Sequence, residues 1–514
     1  MKRLSLILIF VMLCAHAWPA RVYVMSSDHI QTDSAVVDAL TDHGHNVTLG
    51  VSYPNFDGSV DLSNIDVVYF QASANWTWGD MPLLGQVQLV HWLSDPAHGL
   101  LTTEWAIWKF MAGNLRTLYR VLPITGNGAY RGTESVTYTR ETANAVINAG
   151  VPNQFVFAPS SYAGTESFFV PKSNATVFYS SNYPFGDQVG AGVVGMRIPG
   201  GGRSISFSVC AGPSDFSHPD FSRLVANAVT WASLGTELKP NIYVMATRDN
   251  AMDDATLSTL QNCGYRPYVG VNYSEFVGLL YMPEVRAVYF ATAHSHVFGD
   301  MPADGQQALV EFLDTPGNGL ALGEWVHYIE GAGSLQILNQ VFGAELNAWR
   351  TFTLMTFSRV TPNSTLDQGV PSSFDCLLDI YSGTDSHLTP INGGVRFYNS
   401  DITDDGGQPG SAVTGRQLPA RGRVLHFSST NGPTQLANEN FARLFCNAFA
   451  WVMQRDAAVP GDANGDGCVD DTDLAITLSL FGQTGPGLPA DFNNDETVDD
   501  TDLAIVLSNF GLGC

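Results

Sequence analysis

Near the C-terminus, oxygen-bearing side chains recur at alternate positions in a spacing that suits a hard cation. Asp462, Asn464, Asp466, Cys468, Asp470 and Asp473 stand at positions 1, 3, 5, 7, 9 and 12 of a loop whose sixth residue is Gly467. Calcium takes roughly six to eight oxygens, so acidic and amide side chains wrapped around a glycine meet its demand. The seventh position contributes only a main-chain carbonyl, which leaves the Cys468 thiol over. Asp491, Asn493, Asp495, Thr497, Asp499 and Asp502 repeat the pattern 29 residues later. Two calcium ions are therefore expected, one per loop. Charge argues the same way: no Lys or Arg follows Arg455, whereas twelve Asp and Glu do, and such a cluster repels itself unless a cation sits within it.

Elsewhere the chemistry-bearing residues come in pairs. Glu104 and Glu324 each follow a short apolar run, and Asp80 and Asp300 lie in Gly-Asp-Met-Pro turns. Two carboxyls facing one crevice are what glycoside hydrolysis requires. The plainer reading is favoured: each Glu caps the following helix or pairs with an arginine, and each Asp closes a turn ahead of proline. His294 and His296 form a His-Ser-His whose rings would leave one face of a strand, a candidate metal arm. No third ligand is evident, so surface histidines are the expectation.

The elements that must position these residues come from a duplication. Sliding the chain by 220 residues superposes 21–235 on 241–455 with no net insertion. Val22-Tyr23-Val24-Met25 returns as Ile242-Tyr243-Val244-Met245, Gly79-Asp80-Met81-Pro82 as Gly299-Asp300-Met301-Pro302, and Glu104-Trp105 as Glu324-Trp325. Within each copy, β-branched runs alternate with helical patterns, which predicts a parallel sheet covered by helices on both faces. In the first copy, strands are expected near 21–25, 47–51, 66–70 and 99–103. Helices are expected near 33–44, with Asp33 as N-cap and Gly44 as stop, near 83–94, and near 219–232. Ligands of such sheets bind beyond the carboxyl ends of the strands, here around Ser26, Gln71 and Glu104. Only residues 235–240 join the copies, so a pseudo-symmetric pair is expected.

Composition bounds the partners. Met1-Lys2-Arg3, an apolar run from Leu4 to Cys14 and Ala15-His16-Ala17 have the order of a secretory signal, which places the mature N-terminus near Trp18. No later stretch is long and apolar enough to span a bilayer. An exported, soluble protein is expected. Of seven cysteines one lies in the leader, and the remaining even count is compatible with disulfides whose pairing counting cannot give. A formal charge of −25 argues against nucleic acid or an anionic lipid surface as partner.

The copies resemble the class I glutamine amidotransferase-like superfamily, especially its ThuA-like (trehalose-utilisation) branch. The resemblance rests on Gly319-Leu-Ala-Leu-Gly-Glu324-Trp325 and on Gly422-Arg423-Val-Leu-His-Phe-Ser428 leading to Arg443-Leu444-Phe-Cys-Asn447-Ala-Phe-Ala-Trp451. It implies a flavodoxin-like three-layer sandwich. Catalytic members present a cysteine at the strand-to-helix turn and a histidine after a later strand. Here the nucleophile position falls on Trp105 and Trp325, and the later segments read Ser208-Val-Cys-Ala-Gly-Pro213 and Ser428-Ser-Thr-Asn-Gly-Pro433, without histidine. Amidotransferase activity is not expected; Cys210, near the old histidine position, reads as a structural or disulfide cysteine.

The tail resembles a type I dockerin. The last ligand is Asp, Ala-Ala-Val-Pro-Gly precedes the first loop where a helix would enter, and each loop opens into Asp-Leu-Ala-Ile and ends at Phe-Gly. The resemblance implies docking onto a cohesin-like or cell-surface protein, often among polysaccharide-degrading enzymes. Because dockerin termini lie close together, it also implies a Cys468–Cys514 disulfide. At the usual recognition positions stand Asp471-Thr472 and Asp500-Thr501, where cellulosomal members carry Ser-Thr. The chain is thus read as an α/β protein: signal 1–17, flavodoxin-like αβα domains 18–235 and 236–455 in tandem, and a small all-α calcium-loop dockerin domain 456–514. The expected function is docking of two non-catalytic domains onto a secreted or surface partner, with carbohydrate a candidate ligand. The alternative is a hydrolase of O-glycosyl bonds with Glu104 or Glu324 as its acid.

Overall fold

In the first copy, short and largely apolar runs make central strands that are buried on both faces, while the edge strand Asn46–Ser52 stays mostly exposed. The computed structural model describes residues 19–185, 188–235, 238–279, 282–381, 385–403, 407–454, 461–463, 469–485, 488–493 and 497–511. The expected leader lies outside them. Copy 1 runs β1 (Arg21–Ser26), α1 (Ile30–Asp42), β2 (Asn46–Ser52), β3 (Val67–Phe70), α2 (Leu83–Trp92), β4 (Gly99–Thr102), α3 (Glu104–Met111), β5 (Arg203–Phe207) and α4 (Pro219–Ser233). The five strands are parallel in the order β2-β1-β3-β4-β5, the order of flavodoxin-like sheets. Val22 and Val24 pack under α1 and α4 with Leu40, Leu224 and Val225, while Tyr23, Met25, Val68 and Phe70 face the opposite side with Val87 and Val90 of α2.

The expected all-parallel sheet is corrected beyond β5. There the sheet continues through antiparallel strands Gln188–Arg197, Thr176–Phe185, Val136–Arg140 and Gln154–Phe157. Asp33 is not the N-cap of α1 either. The helix starts at Ile30, and the Asp33 carboxylate reaches back to Ser26 Oγ at 2.6 Å and to Ser27 N and Oγ at 2.7 Å each. Gly44 stops the helix as expected, at φ +91°, with His45 N donating to Leu40 O.

Copy 2 repeats the plan with β6 (Ile242–Val244), α5 (Asn250–Asn262), β7 (Pro267–Val269), β8 (Ala287–Phe290), α6 (Ala303–Phe312), β9 (Gly319–Leu322), α7 (Glu324–Gly331), β10 (Arg423–Phe427) and α8 (Glu439–Val452). Its sheet order is β7-β6-β8-β9-β10, extended by antiparallel strands. A Cys263–Cys446 disulfide joins the end of α5 to α8; copy 1 has His43 and Ala226 at those places.

The copies meet head to tail, not as the expected pseudo-symmetric pair. The outer face of α2 lies on the β6–β7 edge of copy 2, where His91 Nε2 is 2.9 Å from Tyr243 Oη and Tyr268 Oη donates to Val90 O. The equivalents of Tyr268 and His91 in the other copies are Thr48 and Glu311, both exposed. Each copy therefore contributes a different surface to the contact. In the tail, α9 (Asp471–Leu480) and α10 (Asp500–Asn509) pack together over buried Val469, Val498 and Val506. Among the described residues no helix is long and apolar enough to cross a membrane.

Candidate functional site

The turn from β4 into α3 is where a functional carboxylate would stand, and Glu104 is its first helical residue. Ser167 Oγ donates to Glu104 Oε1 at 2.6 Å, and the Cys210 thiol lies 3.7 Å from Oε2. Glu104 is fully buried. Burial pushes its carboxyl up to about 8, against the pull of the Ser167 and Cys210 hydrogen bonds. It thus neither caps its helix nor pairs with an arginine. Burial, then Glu104, raises the Cys210 thiol well above its ordinary value, so it stays protonated. Cys210 and Cys376 are free, buried thiols. A second buried acid, Glu166, which sequence reasoning missed, accepts from Arg131 Nε at 2.9 Å and Nη2 at 2.6 Å.

At the position where the resemblance would put a nucleophile, Trp105 is almost wholly enclosed. It stacks on Trp76 with centroids 4.5 Å apart, and Trp108 and Tyr130 close the cluster at 5.3 and 5.9 Å. In copy 2, His296 stacks on Trp325 at 4.5 Å, in the place of Trp76, with Tyr328 and Trp349 around it. This explains why a histidine stands there: its ring fills a slot over an indole. The expectation that His294 and His296 leave a strand is corrected, because β8 ends at Phe290 and both lie in a 3-10 turn, Ala293–Val297. His294 instead packs against Tyr381 at 4.8 Å.

Asp80 and Asp300 do close turns. Asp80 accepts from Met81 N at 2.9 Å and Leu115 N at 3.3 Å, and Asp300 from Met301 N at 2.7 Å and Leu335 N at 3.0 Å. Asp80 is exposed while Glu104 is sealed, so the two do not face one open crevice. In copy 2, Glu324 takes the Ser386 hydroxyl at 3.1 Å and Asp385 that of Ser428. Burial raises both carboxyls, Asp385 to about 8. Sequence reasoning also missed a buried histidine pair: His327 Nε2 lies 3.3 Å from His426 Nδ1, and Gly343 N donates to His426 Nε2 at 2.9 Å. Because Nε2 accepts, Nδ1 of His426 carries the proton toward His327.

The tail brings part of each predicted loop together. Asp473, fully buried, accepts from Ala463 N at 2.8 Å and Asp470 N at 2.9 Å; Asp502, equally buried, accepts from Phe492 N at 2.7 Å and Asp499 N at 3.0 Å. Asp470 and Asp499 cap α9 and α10 through Thr472 N and Thr501 N. Asp462, Asp491, Asn493 and Thr497 are among the described residues, whereas Asn464, Asp466, Cys468 and Asp495 lie outside them, as does Cys514. Among the described residues no group of three or more His, Cys, Asp or Glu is placed for a metal. Asp473 and Asp502, each fully buried in its own loop, are carboxylates of the kind a hard cation takes.

The chain matches no protein-family model and no curated protein. Solved structures similar to it include a ThuA-like protein from Bacteroides uniformis, at 12% identity over 42% of this chain and 91% of that one, with a TM-score of 0.31. Another ThuA-like protein, from Parabacteroides merdae, is 10% identical over 43% of this chain and 93% of that one, with a TM-score of 0.32. A beta-galactosidase from Rahnella sp. is 12% identical over 78% of this chain and 52% of its own, with a TM-score of 0.34. Likeness at this level assigns neither a ligand nor a reaction to the chain.

Proposed function

We propose that this is an exported docking protein, in which a calcium-folded, dockerin-like tail attaches two non-catalytic, ThuA-like α/β domains to a secreted or cell-surface partner of cohesin type. The observation that carries the reading is the internal symmetry of the tail. Asp470 and Asp499 cap equivalent helices, Asp473 and Asp502 are buried at equivalent depth, and the exposed apolar pairs Leu478–Phe481 and Leu507–Phe510 recur 29 residues apart. Exposed apolar residues repeated on two packed helices suit a protein partner. Asp462, Asn464, Asp466, the Cys468 carbonyl, Asp470 and Asp473 would hold one ion; Asp491, Asn493, Asp495, Thr497, Asp499 and Asp502 would hold the other. Calcium supplies the positive charge that gathers these acids. Both nucleophile positions carry enclosed tryptophans, and the Cys210 thiol is held protonated, which supports a non-catalytic scaffold.

The competing reading, a polysaccharide hydrolase, needs an acid that substrate can reach. Glu104 and Glu324 are both sealed in the core, so the docking reading is preferred. The test is retention of a cohesin-type domain by the immobilised full chain in calcium. Release in chelator, and no retention by a chain ending at residue 455, is the expected result. Retention that ignores chelator, or turnover of glycosides lost on Glu104→Gln with Glu324→Gln, would overturn the proposal.

A further inference from the structure

Beside the α2 seam the copies meet along a second line. The 3-10 turn Arg116–Arg120 and the residues after strand Glu166–Pro171 face α5 across a cavity of about 340 Å³. Tyr119, Arg120, Lys172 and Asn174 wall it on one side, Asn250 and Gln261 on the other. Most of these groups have an evident task in joining the copies. Arg120 Nη1 donates to Asn250 Oδ1 and Nη2 to Asp254 Oδ1, each at 3.0 Å, and Asn250 Nδ2 donates to Tyr119 Oη at 2.6 Å.

Lys172 has no such task. Its Nζ donates to the Tyr119 carbonyl and lies 4.2 Å from the centre of the Tyr119 ring, within its own copy. Among the described residues it makes no ion pair. Burial, then the neighbouring Arg120 charge, brings its pKa down to about 7, with the Asp254 carboxylate pulling the other way. Lys172 is half-buried and lines the cavity, so its amine can be reached by a ligand there. The arrangement also exists only once: copy 2 has Asn339, Gln340 and Ile391 where copy 1 has Tyr119, Arg120 and Lys172. Around the lysine stand hydroxyl and amide groups, Ser258, Asn174 and Gln261, with Met196 and Leu257 as an apolar floor.

We propose that this cavity binds one small polyhydroxylated carboxylate, of the size and chemistry of a uronic acid. Lys172 pairs with the carboxylate, Asn174, Ser258 and Gln261 bond the hydroxyls, and the C–H face of the ring lies on Met196 and Leu257. A volume of this order suits a single sugar ring. A neutral sugar offers Lys172 no opposite charge, and a dianion would bring a second negative charge toward Asp254. The site lies outside the tail and stands whether or not the tail docks.

Calorimetric titration of the full chain in calcium tests it, with glucuronate and galacturonate against glucose, acetate and inorganic phosphate. A uronate is expected to bind at least tenfold more tightly than any of the other three. Lys172→Met should weaken uronate binding tenfold or more, and Asn174→Ala severalfold. Affinity should fall as pH rises from 6 to 8, while Lys172, facing Arg120, Asp254 and the Tyr119 ring, loses its proton. Should Lys172→Met fail to fold, the pH series on the natural chain and Ser258→Ala carry the same test. No uronate binding at millimolar concentration, equal affinity for glucose, or binding indifferent to both pH and Lys172 would overturn the proposal.

Discussion

Replacing Glu104 by Gln removes a buried titrating group while keeping its shape and its acceptor for Ser167. The Glu104 carboxyl is raised by burial from 4.5 to about 8. Its contribution to stability is therefore fully present below the unfolded value and is lost as pH rises toward the folded one. Three and a half units at ~1.4 kcal/mol each amount to roughly 5 kcal/mol lost between about pH 4.5 and pH 8 for this one group. The amide has no proton to lose in that range. Guanidinium unfolding of both proteins at fixed calcium, followed by tryptophan fluorescence across that interval, reads the difference directly. The natural chain should lose stability relative to the variant by about 1.4 kcal/mol per pH unit between pH 5.5 and 7.5. Parallel pH profiles would refute the reasoning, because they would mean that Glu104 is ionised and solvated in the folded protein.

Further outcomes are expected. Trp105→Ala should cost about 3–5 kcal/mol by emptying the aromatic cluster, and Trp105→Cys should give no glutaminase activity in a direct assay, since no histidine follows. Cys263→Ser with Cys446→Ser should lower the stability of copy 2 by about 2–5 kcal/mol in chemical denaturation. The copies expressed separately, as 18–235 and 236–455, should each melt below the joined pair, because separation uncovers α2 on one and Tyr243 and Tyr268 on the other; unchanged melting and full solubility would contradict the head-to-tail packing.

The parallel half of each sheet was legible because its central strands are short, largely apolar runs and the pattern recurs 220 residues apart: β1 to β4 and the closing helix α4 stand within two residues of expectation. The antiparallel half was not, since segments such as Thr176–Phe185 mix Ser, Asn, Tyr and Pro and show no clean alternation. Asp33 precedes an apolar run and so resembles a cap, yet Ser26 and Ser27 supply its partners from the strand before, a tertiary contact that local pattern does not hold. The turn roles of Asp80 and Asp300 were readable from the proline that follows each at a fixed distance. The Cys263–Cys446 pair carried a usable signal, because both cysteines are present in copy 2 and both absent from copy 1. The cavity beneath Lys172 depends on how the copies meet, which neither copy encodes alone.

The claim at the centre of this account is that calcium holds the tail, and calorimetric titration of the metal-stripped full chain with calcium tests it most directly. Two ions per chain should be taken up, and Asp462→Ala with Asp491→Ala should abolish the uptake while residues 21–455 stay folded. Because binding is coupled to folding, the isolated tail should gain its helical signal only as calcium is added. Absence of calcium uptake by the full chain, or a tail that stays helical in excess chelator under reducing conditions, would contradict the account.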